Sequence, residues 1–203
     1  MKLLQSFYLD QDVVALSRNL LGKYLFTQID GLKTGGIIVE TEAYNGITDK
    51  ASHAYGNRRT SRTETMYSEG GVAYVYLCYG IHHLFNIVTS LKDDPRAVLI
   101  RAIEPVEGID IMMERRSLLK MKPAITLGPG SLARALGITK TLNALSLVSD
   151  TIWLEDNGLN FPDSAIAAVP RVGVDYAGED AILPYRFYVK GNPYVSKPYK
   201  GPR

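Results

Sequence analysis

The chain has one cysteine and three histidines, and these shortages exclude several kinds of site. Cys78 is the only cysteine among 203 residues, so neither a disulfide within the chain nor a zinc site built from cysteines can form. The histidines are His53, His82 and His83, and their spacing matches no common pair of zinc ligands. We therefore expect no metal and no other cofactor.

Long apolar runs are also absent. No stretch approaches the roughly 20 apolar residues of a membrane-spanning helix, and the first ten residues lack the apolar segment of a secretory signal. We expect a cytoplasmic protein with no membrane partner. Hydrophobic residues make up 46% of the chain, enough for one core, so residues 1–203 are expected to form a single domain. A monomer is the default expectation.

The charge is small but unevenly distributed. A net charge of +2 does not by itself indicate a nucleic-acid partner, but the segment Ala181–Arg203 contains five basic residues and no acidic one. Arg58, Arg59 and Arg62 form a second cluster, with only Glu64 nearby as a counter-charge. Both clusters could neutralise phosphates, although a solvated loop and a solvated tail explain them as well.

The order of the predicted elements favours an α+β fold. Asp10 or Asp12 can cap a helix that ends at Gly22, and a second helix is expected from Pro105 to about Leu119. A third, short helix follows a glycine-rich turn that could hold a phosphate, although plain capping by Ser131 explains it equally well. The predicted third helix covers Leu132–Leu136.

Strands with turn signals between them account for most of the remaining chain. They are expected at Lys23–Ile29 and Gly36–Tyr44, joined at Asp30-Gly31, at Ala97–Ile103, and near Thr151–Leu154, Arg171–Val174 and Tyr185–Lys190. The polar stretch Asp49–Tyr67 is expected to be a functional loop. Because no βαβ rhythm occurs, we predict a mainly antiparallel, curved sheet with flanking helices.

Residues Val72–Val88 form the most informative stretch. They are expected to form a protruding hairpin with its turn at Tyr79-Gly80. A tyrosine at the tip projects an aromatic ring where turns are usually polar. Nucleic acid is one partner that rewards such a ring, because every base offers a face for stacking. An ordinary half-buried hairpin is an equally open interpretation.

Two carboxylates and an arginine stand out within the predicted strands. Glu40, Glu42 and Tyr44 share one strand face, where a solvent-exposed polar face remains an alternative interpretation. Arg101 lies inside an apolar run, and a buried arginine needs a partner. A glutamate is the natural one, and such a pair would keep the carboxylate ionised and able to act as a base. A purely structural ion pair fits the same pattern.

Taken together, seven groups of motifs resemble one family over residues 7–196, which is nearly the whole chain. In chain order they are VETEAY at 39–44, His53 within ASHA, Arg58-Arg59-Thr60, YVYLCYG at 74–80 followed by Asn86, VLIRAIEP at 98–105, GPGS at 128–131 with Ala135-Leu136, and RVGV at 171–174 with LPYRFYV at 183–189 before GNP at 191–193. This order and spacing are similar to those of the alkyladenine (3-methyladenine) DNA glycosylases. Each motif alone is weak, whereas the ordered set is specific.

The resemblance implies a monofunctional base-excision-repair enzyme acting on double-stranded DNA. Such enzymes extrude the damaged nucleotide into a pocket and hydrolyse its N-glycosidic bond. The implied substrates are 3-methyladenine, 7-methylguanine, hypoxanthine and ethenoadenine, in an order that the sequence does not give. The motifs quoted for the pocket contain no lysine, so nothing in them suggests a Schiff-base lyase step.

The resemblance also implies individual roles. Glu42 would activate a water, held additionally by Arg101 and the backbone carbonyl of Val172, and Tyr79 would enter the minor groove as a wedge. The other implied roles are purine binding by Tyr44, His53 and Tyr76, exclusion of guanine by Asn86, and phosphate contacts by Arg58, Arg59 and Arg62.

Two other functions remain open at this point. A catalytically silent DNA-lesion binder would need the wedge but not the chemistry of Glu42 and Arg101. A nucleosidase for free nucleosides would use Glu40 and Glu42 as its two carboxylates, but would leave Tyr79 and the basic clusters without a role. At Ile81-His82-His83 the relatives have different residue types, so the resemblance does not imply a particular lesion preference.

Overall fold

A computed structural model describes residues 1–201, and an eight-stranded antiparallel sheet dominates it. Four short α-helices accompany the sheet in the described part of the chain, which confirms the predicted α+β class. The helices are α1 (Gln5–Tyr8), α2 (Val13–Asn19), α3 (Ile109–Arg115) and α4 (Pro129–Ala135). The strands are β1 (Tyr24–Ile29), β2 (Leu32–Tyr44), β3 (Ala73–Cys78), β4 (His82–Thr89), β5 (Arg96–Glu107), β6 (Ile152–Glu155), β7 (Ile166–Val169) and β8 (Arg186–Val189).

Strand β2 organises the sheet. One of its edges pairs with β5 along most of its length, while the other is shared by β1 near its start and β8 near its end. The remaining strands extend the sheet as β3-β4-β5 and β1-β6, and β7 pairs with β8. Irregular pairing on both sides of Glu40 marks a bulge, a device that re-aims side chains and often lies beside functional sites.

The helices cover one face of the sheet and leave room for polar groups on the other. α2 packs on β2 and β5, and α4 packs on β4 and β5. In between lies an apolar core that includes Leu16, Ile100 and Leu132, all essentially inaccessible to solvent. Thr41 faces this side, where its hydroxyl donates to the carbonyl of Ser17 over 2.8 Å. Side chains at 40 and 42 therefore face the opposite side of β2.

Helix α2 and the β1–β2 hairpin follow the sequence prediction. The Asp12 carboxylate accepts the amide hydrogens of Val14 and Ala15, so Asp12 is the cap that the sequence left open between two aspartates. The helix ends at Asn19, three residues before the predicted Gly22. The turn between β1 and β2 is at Asp30-Gly31, as predicted.

The prediction of a helix beginning at Pro105 was wrong. Strand β5 continues through Pro105 to Glu107, and α3 begins only after Gly108, which has a left-handed φ of 65°. Pro105 pairs with Gly36 where the register with β2 is broken. A proline lacks an amide hydrogen, so it is tolerated at such an irregularity.

Two other local predictions were also wrong. Helix α4 begins at Pro129, and the Ser131 hydroxyl accepts from Arg116 instead of capping the helix. No strand forms at Arg171–Val174, whereas the unpredicted β7 lies a few residues earlier. Short strands of four residues carry too little alternation to be located from sequence alone.

The β3–β4 hairpin has the predicted tip. Ile81 N–H donates to the Cys78 carbonyl over 3.1 Å, and both central residues have positive φ, 50° for Tyr79 and 72° for Gly80. Glycine adopts this conformation freely, but for a tyrosine it costs about 1 kcal/mol. The Tyr79 side chain is 92% exposed. The hairpin thus presents an aromatic ring to solvent from a strained turn.

No α-helix in the described range exceeds seven residues. Accordingly, residues 1–201 contain no helix that is long and apolar enough to cross a membrane.

Candidate active site

A cavity of about 550 Å³ opens between β2, the β3–β4 hairpin and the loop before β8. This volume is within the range of small-molecule sites. The residues predicted to act on the base, the water or the DNA stack all lie along its walls. They are Glu42, Tyr44, His53, Tyr76, Tyr79, Asn86, Arg101 and Val172.

Glu42 is the buried acid of this cavity. Its side chain has no solvent exposure, and three groups hold it. Val172 N–H donates to Oε1 over 2.7 Å, the Tyr44 hydroxyl donates to Oε2 over 2.9 Å, and Arg101 Nη1 lies 3.3 Å from Oε1. These contacts balance the negative charge and fix the orientation of the carboxylate. Val172 was predicted to act through its carbonyl, and its amide is the group that binds Glu42.

Glu40 is equally buried but belongs to a different cluster. Its Oε1 accepts from Arg101 Nε at 2.9 Å and from Arg186 Nη1 at 3.0 Å, and Ser196 N–H donates to Oε2 over 2.6 Å. Burial alone would raise the pKa of Glu40, but the charge of Arg101 and the bonds from Ser196 lower it below its usual value. Glu40 is absent from the cavity wall.

These contacts test two predictions, the carboxylate partner of Arg101 and the exposure of the polar face of β2. Arg101 does pair with glutamate, and it bridges both Glu40 and Glu42. The alternative of a solvent-exposed polar face on β2 is wrong, because neither carboxylate is accessible to solvent. Two buried carboxylates remain compatible with an apolar fold only because arginines and amide hydrogens surround them.

Aromatic rings and a neutral histidine form another wall. His53 Nδ1 lies 2.9 Å from the Tyr74 hydroxyl, and its ring centroid is 4.7 Å from that of Tyr76. Burial lowers the pKa of His53 to about 4, with further lowering by the charges of Arg62 and Arg58. The imidazole is therefore uncharged at neutral pH and can contact a base as a polar, flat surface.

Asn86 is fixed on the cavity wall. It is buried on β4, and its side-chain amide donates to the Tyr74 carbonyl over 3.1 Å. A side chain anchored in this way cannot swing aside easily, so it restricts the shape of any occupant.

The three clustered arginines have different surroundings. Arg62 lines the cavity, with its guanidinium 5.1 Å from the Tyr76 ring, and Arg58 is exposed beside it. Arg59 instead forms ion pairs of 2.7 Å with both Glu64 and Asp93. The expectation that Glu64 alone would balance this cluster was wrong, because Asp93 approaches from the loop after β4.

The basic C-terminal segment is not uniformly solvated. Arg186 is buried in the Glu40 cluster, whereas Lys197 is exposed and forms part of the cavity wall. The sequence motifs did not identify Lys197 as a pocket residue, because it follows the last motif, GNP at 191–193. Arg203 is outside the described residues.

Within residues 1–201, no three His, Cys, Asp or Glu side chains converge in an arrangement that could hold a metal ion.

Comparison with known proteins gives one consistent result. A family model described as methylpurine-DNA glycosylase matches residues 6–193. A Bacillus cereus protein named "Putative 3-methyladenine DNA glycosylase" is 48% identical over 201 residues, covering 95% of this chain and 97% of its own. A Chlamydia felis protein of the same name is 50% identical over 184 residues, covering 90% and 93%. The range matched by the family model includes every predicted site residue.

Proposed function

Because the chain belongs to the methylpurine-DNA glycosylase family, we propose that this DNA-3-methyladenine glycosylase flips damaged purines out of duplex DNA and uses Glu42 to hydrolyse their N-glycosyl bond. The proposed substrates are 3-methyladenine, 7-methylguanine, hypoxanthine and ethenoadenine. One observation carries the proposal: a buried, hydrogen-bonded carboxylate lines a cavity of about 550 Å³ whose rim bears an exposed tyrosine.

Access to the base is the first requirement. A base stacked inside a duplex cannot reach Glu42, so its nucleotide must leave the stack at a cost of a few kcal/mol. In the proposal, Tyr79 enters the minor groove and fills the gap. This role accounts for a 92% exposed aromatic ring on a backbone with φ of 50°, since side chains that wedge between base steps are a recurrent feature of minor-groove proteins.

Recognition of the extruded base follows from the cavity walls. Tyr44, His53 and Tyr76 would contact its faces and edge, with stacking worth about 1–3 kcal/mol per base. Asn86 is proposed to crowd the exocyclic amino group of guanine, which would spare the normal base. Its hydrogen bond to the Tyr74 carbonyl supports this role, because a fixed side chain can exclude an extra group.

The chemical step is proposed to centre on Glu42. Its carboxylate would accept a proton from a water as the water oxygen attacks C1′ and the electrons of the C1′–N bond leave with the base. The product is a free purine and an intact abasic site. Arg101 and the Val172 amide support this role, because they hold the carboxylate in place at the cavity wall.

Substrate class should decide how much further help is needed. A cationic base such as 3-methyladenine leaves as a neutral molecule, so it departs readily. Hypoxanthine is neutral, and it needs a hydrogen bond or a proton at N7 to leave. Selectivity in this proposal is therefore partly chemical and partly steric.

The DNA backbone would meet the basic residues around the opening. Arg58, Arg59 and Arg62 are proposed to contact phosphates, and affinity should then fall steeply with salt. The three residues need not contribute equally. Arg59 already binds two carboxylates, so Arg58 and Arg62 are expected to give the larger change in salt dependence. We propose that the enzyme works as a monomer in the cytoplasm.

The amine of Lys197 at the cavity wall could in principle support a lyase step, so this residue has to be tested. An amine can form a Schiff base with an abasic-site aldehyde and then cleave the strand. We propose that the enzyme is monofunctional, because no lysine occurs in the motifs that form the pocket and Lys197 is the one lysine among the described residues that line it. Borohydride trapping should give no covalent enzyme–DNA adduct. An adduct that disappears with Lys197→Ala would refute this part of the proposal.

Single-turnover excision tests the proposed function. The enzyme is mixed in excess with a duplex containing one hypoxanthine, and with a duplex methylated at purines, and the released base is measured. Release from at least one of them is expected. Binding of both duplexes without release from either would favour a silent lesion binder, and hydrolysis of free inosine without DNA would favour a nucleosidase.

A further inference from the structure

A buried ion pair behind the cavity connects the end of β2, the segment of Val172 and the loop that carries His53. Asp49 and Arg171 are both nearly inaccessible to solvent, and their side chains meet in a two-fold contact, with Nη1–Oδ2 at 2.5 Å and Nη2–Oδ1 at 2.8 Å. Neither residue lines the cavity. A charge pair buried this deeply needs a reason, since apolar residues of similar volume often stabilise a fold equally well.

Arg171 holds the strand end that carries Glu42. Its Nη1 also donates to the carbonyl of Ala43, the next residue, over 2.9 Å. Its guanidinium lies 4.9 Å from the ring of Tyr44, whose hydroxyl binds Glu42 Oε2. One side chain therefore fixes both the backbone beside the acid and one of the acid's donors.

Arg171 also determines where the second donor lies. The next residue is Val172, whose amide binds Glu42 Oε1 over 2.7 Å. This segment is not part of any strand, so no sheet hydrogen bonds set its position. Anchoring of the Arg171 side chain by Asp49, with an additional bond to the Asp180 carbonyl at 3.2 Å, performs that task.

Asp49 extends the same control to the loop that carries His53. Its two oxygens accept the amide hydrogens of Asn45 and Ala51 at 2.9 and 3.0 Å. The carboxylate thus fixes the chain on both sides of the turn that precedes the histidine. Because Asp49 is held by Arg171, the histidine loop and the Glu42 donors share one anchor.

We propose that the Asp49–Arg171 pair is a positioning device that orients the Glu42 carboxylate, through the Val172 amide and the Tyr44 hydroxyl, for activation of water. This inference rests on the proposed catalytic role of Glu42. Neither residue touches the substrate, so the pair acts on the rate of the chemical step and leaves DNA capture intact. A misplacement of about 1 Å at a reacting group can lower a rate by up to a hundredfold.

The test uses Asp49→Asn, which keeps the size of the side chain, and Arg171→Lys, which keeps its positive charge; each removes the two-fold contact. Single-turnover excision of hypoxanthine is expected to fall about ten- to a hundredfold in each, while the Kd for the same duplex changes less than about threefold.

Asp156→Asn is the matched control. It removes another aspartate ion pair, with Lys23 at 2.9 Å, on a strand end outside the cavity. We expect it to lower the free energy of unfolding without changing the excision rate of folded protein. An excision rate that falls as much in Asp156→Asn as in Asp49→Asn, or that is unchanged in Asp49→Asn and Arg171→Lys, would overturn the positioning role.

Amide hydrogen exchange at Val172 separates this inference from the proposed function. Protection of that amide is expected in the wild type and a loss of protection in both variants. If wild type excises nothing but the exchange result holds, the catalytic assignment fails and the anchoring stands. Full protection of Val172 in both variants would overturn the anchoring itself.

Discussion

The buried acids of β2 and the exposed tip of the hairpin break the usual rule of burial in opposite directions. Glu40 and Glu42 are charged and have no solvent exposure, whereas Tyr79 is aromatic and 92% exposed, with Ile81 at 71%. A fold selected for stability alone would exchange these environments. Glu42 and Tyr79 line the same cavity, and Arg101 connects Glu40 to Glu42 behind its wall. Their position indicates that the site, not the fold, requires them.

The two regions also differ in how many contacts determine them. Glu40 and Glu42 are held by arginines and amide hydrogens from several parts of the chain, so their geometry is fixed before any ligand binds. The tip of the hairpin is held by one turn and by the β3–β4 pairing. The first arrangement suits chemistry and the second suits insertion into a deformable partner.

The largest effect is expected for Glu42→Gln. Loss of the carboxylate charge removes the base, so single-turnover excision of hypoxanthine should fall about a thousandfold or more, with DNA affinity retained. Glu40→Gln is the control on the same strand face, and folded protein of that variant should stay within about tenfold of the wild-type rate. The reverse ranking of the two variants would contradict the assignment of Glu42.

The free energy of unfolding should depend strongly on the buried acids and hardly at all on the hairpin tip. Glu40→Gln leaves two buried guanidinium groups short of a counter-charge, so the free energy of unfolding should fall by about 3 kcal/mol. Tyr79→Ala removes an exposed ring and should change it by less than about 0.5 kcal/mol. Denaturant titrations measure both. A fall of less than about 1 kcal/mol in Glu40→Gln would show that the acid cluster contributes little to folding.

Acidification should lower the free energy of unfolding through the buried His53. His53 has a pKa of about 4 in the folded protein against 6.5 normally, so the unfolded chain takes up its proton first as pH falls. The contribution of the neutral histidine to the free energy of unfolding is present above pH 6.5 and is lost as pH falls toward 4. Between pH 7 and pH 5 the loss should be roughly 1–2 kcal/mol. Unfolding titrations of wild type and His53→Gln at both pH values test this. An equal decrease in the two proteins would exclude His53 as its source.

The smallest effect is expected at the tip. Tyr79→Ala should weaken binding to a hypoxanthine duplex about tenfold, which corresponds to the loss of one stacked ring. Binding to an undamaged duplex should change less, because no base is extruded. Leu119→Ala, a fully exposed side chain after α3, serves as the control. Equal weakening on both duplexes would indicate a general DNA contact instead of a wedge.

Sequence reasoning identified single residues better than it identified their surroundings. Arg101 within an apolar strand required a carboxylate partner on physical grounds alone, and the structure supplies two. The anchors Asp49, Arg171 and Ser196 escaped notice, because their partners lie more than a hundred residues away in the chain. Local patterns do not encode such contacts.

Backbone roles were the hardest to predict. The Val172 amide donates to Glu42, a contact that the sequence did not indicate, while the predicted role of the Val172 carbonyl stays a prediction. The orientation of a peptide group in an irregular segment depends on what anchors its neighbours, here the buried side chain of Arg171. The strand through Pro105 was missed for a related reason, since a break in pairing with β2 accommodates the proline.

The division of labour between the two regions is tested most directly by following base extrusion and base release together. A duplex with one ethenoadenine, whose fluorescence changes when it leaves the stack, is mixed with Glu42→Gln and with Tyr79→Ala. We predict that Glu42→Gln keeps the fluorescence change and loses base release, whereas Tyr79→Ala loses most of the fluorescence change and recovers release on a lesion that is already unpaired. Loss of both signals in Glu42→Gln, or full extrusion by Tyr79→Ala, would contradict the account.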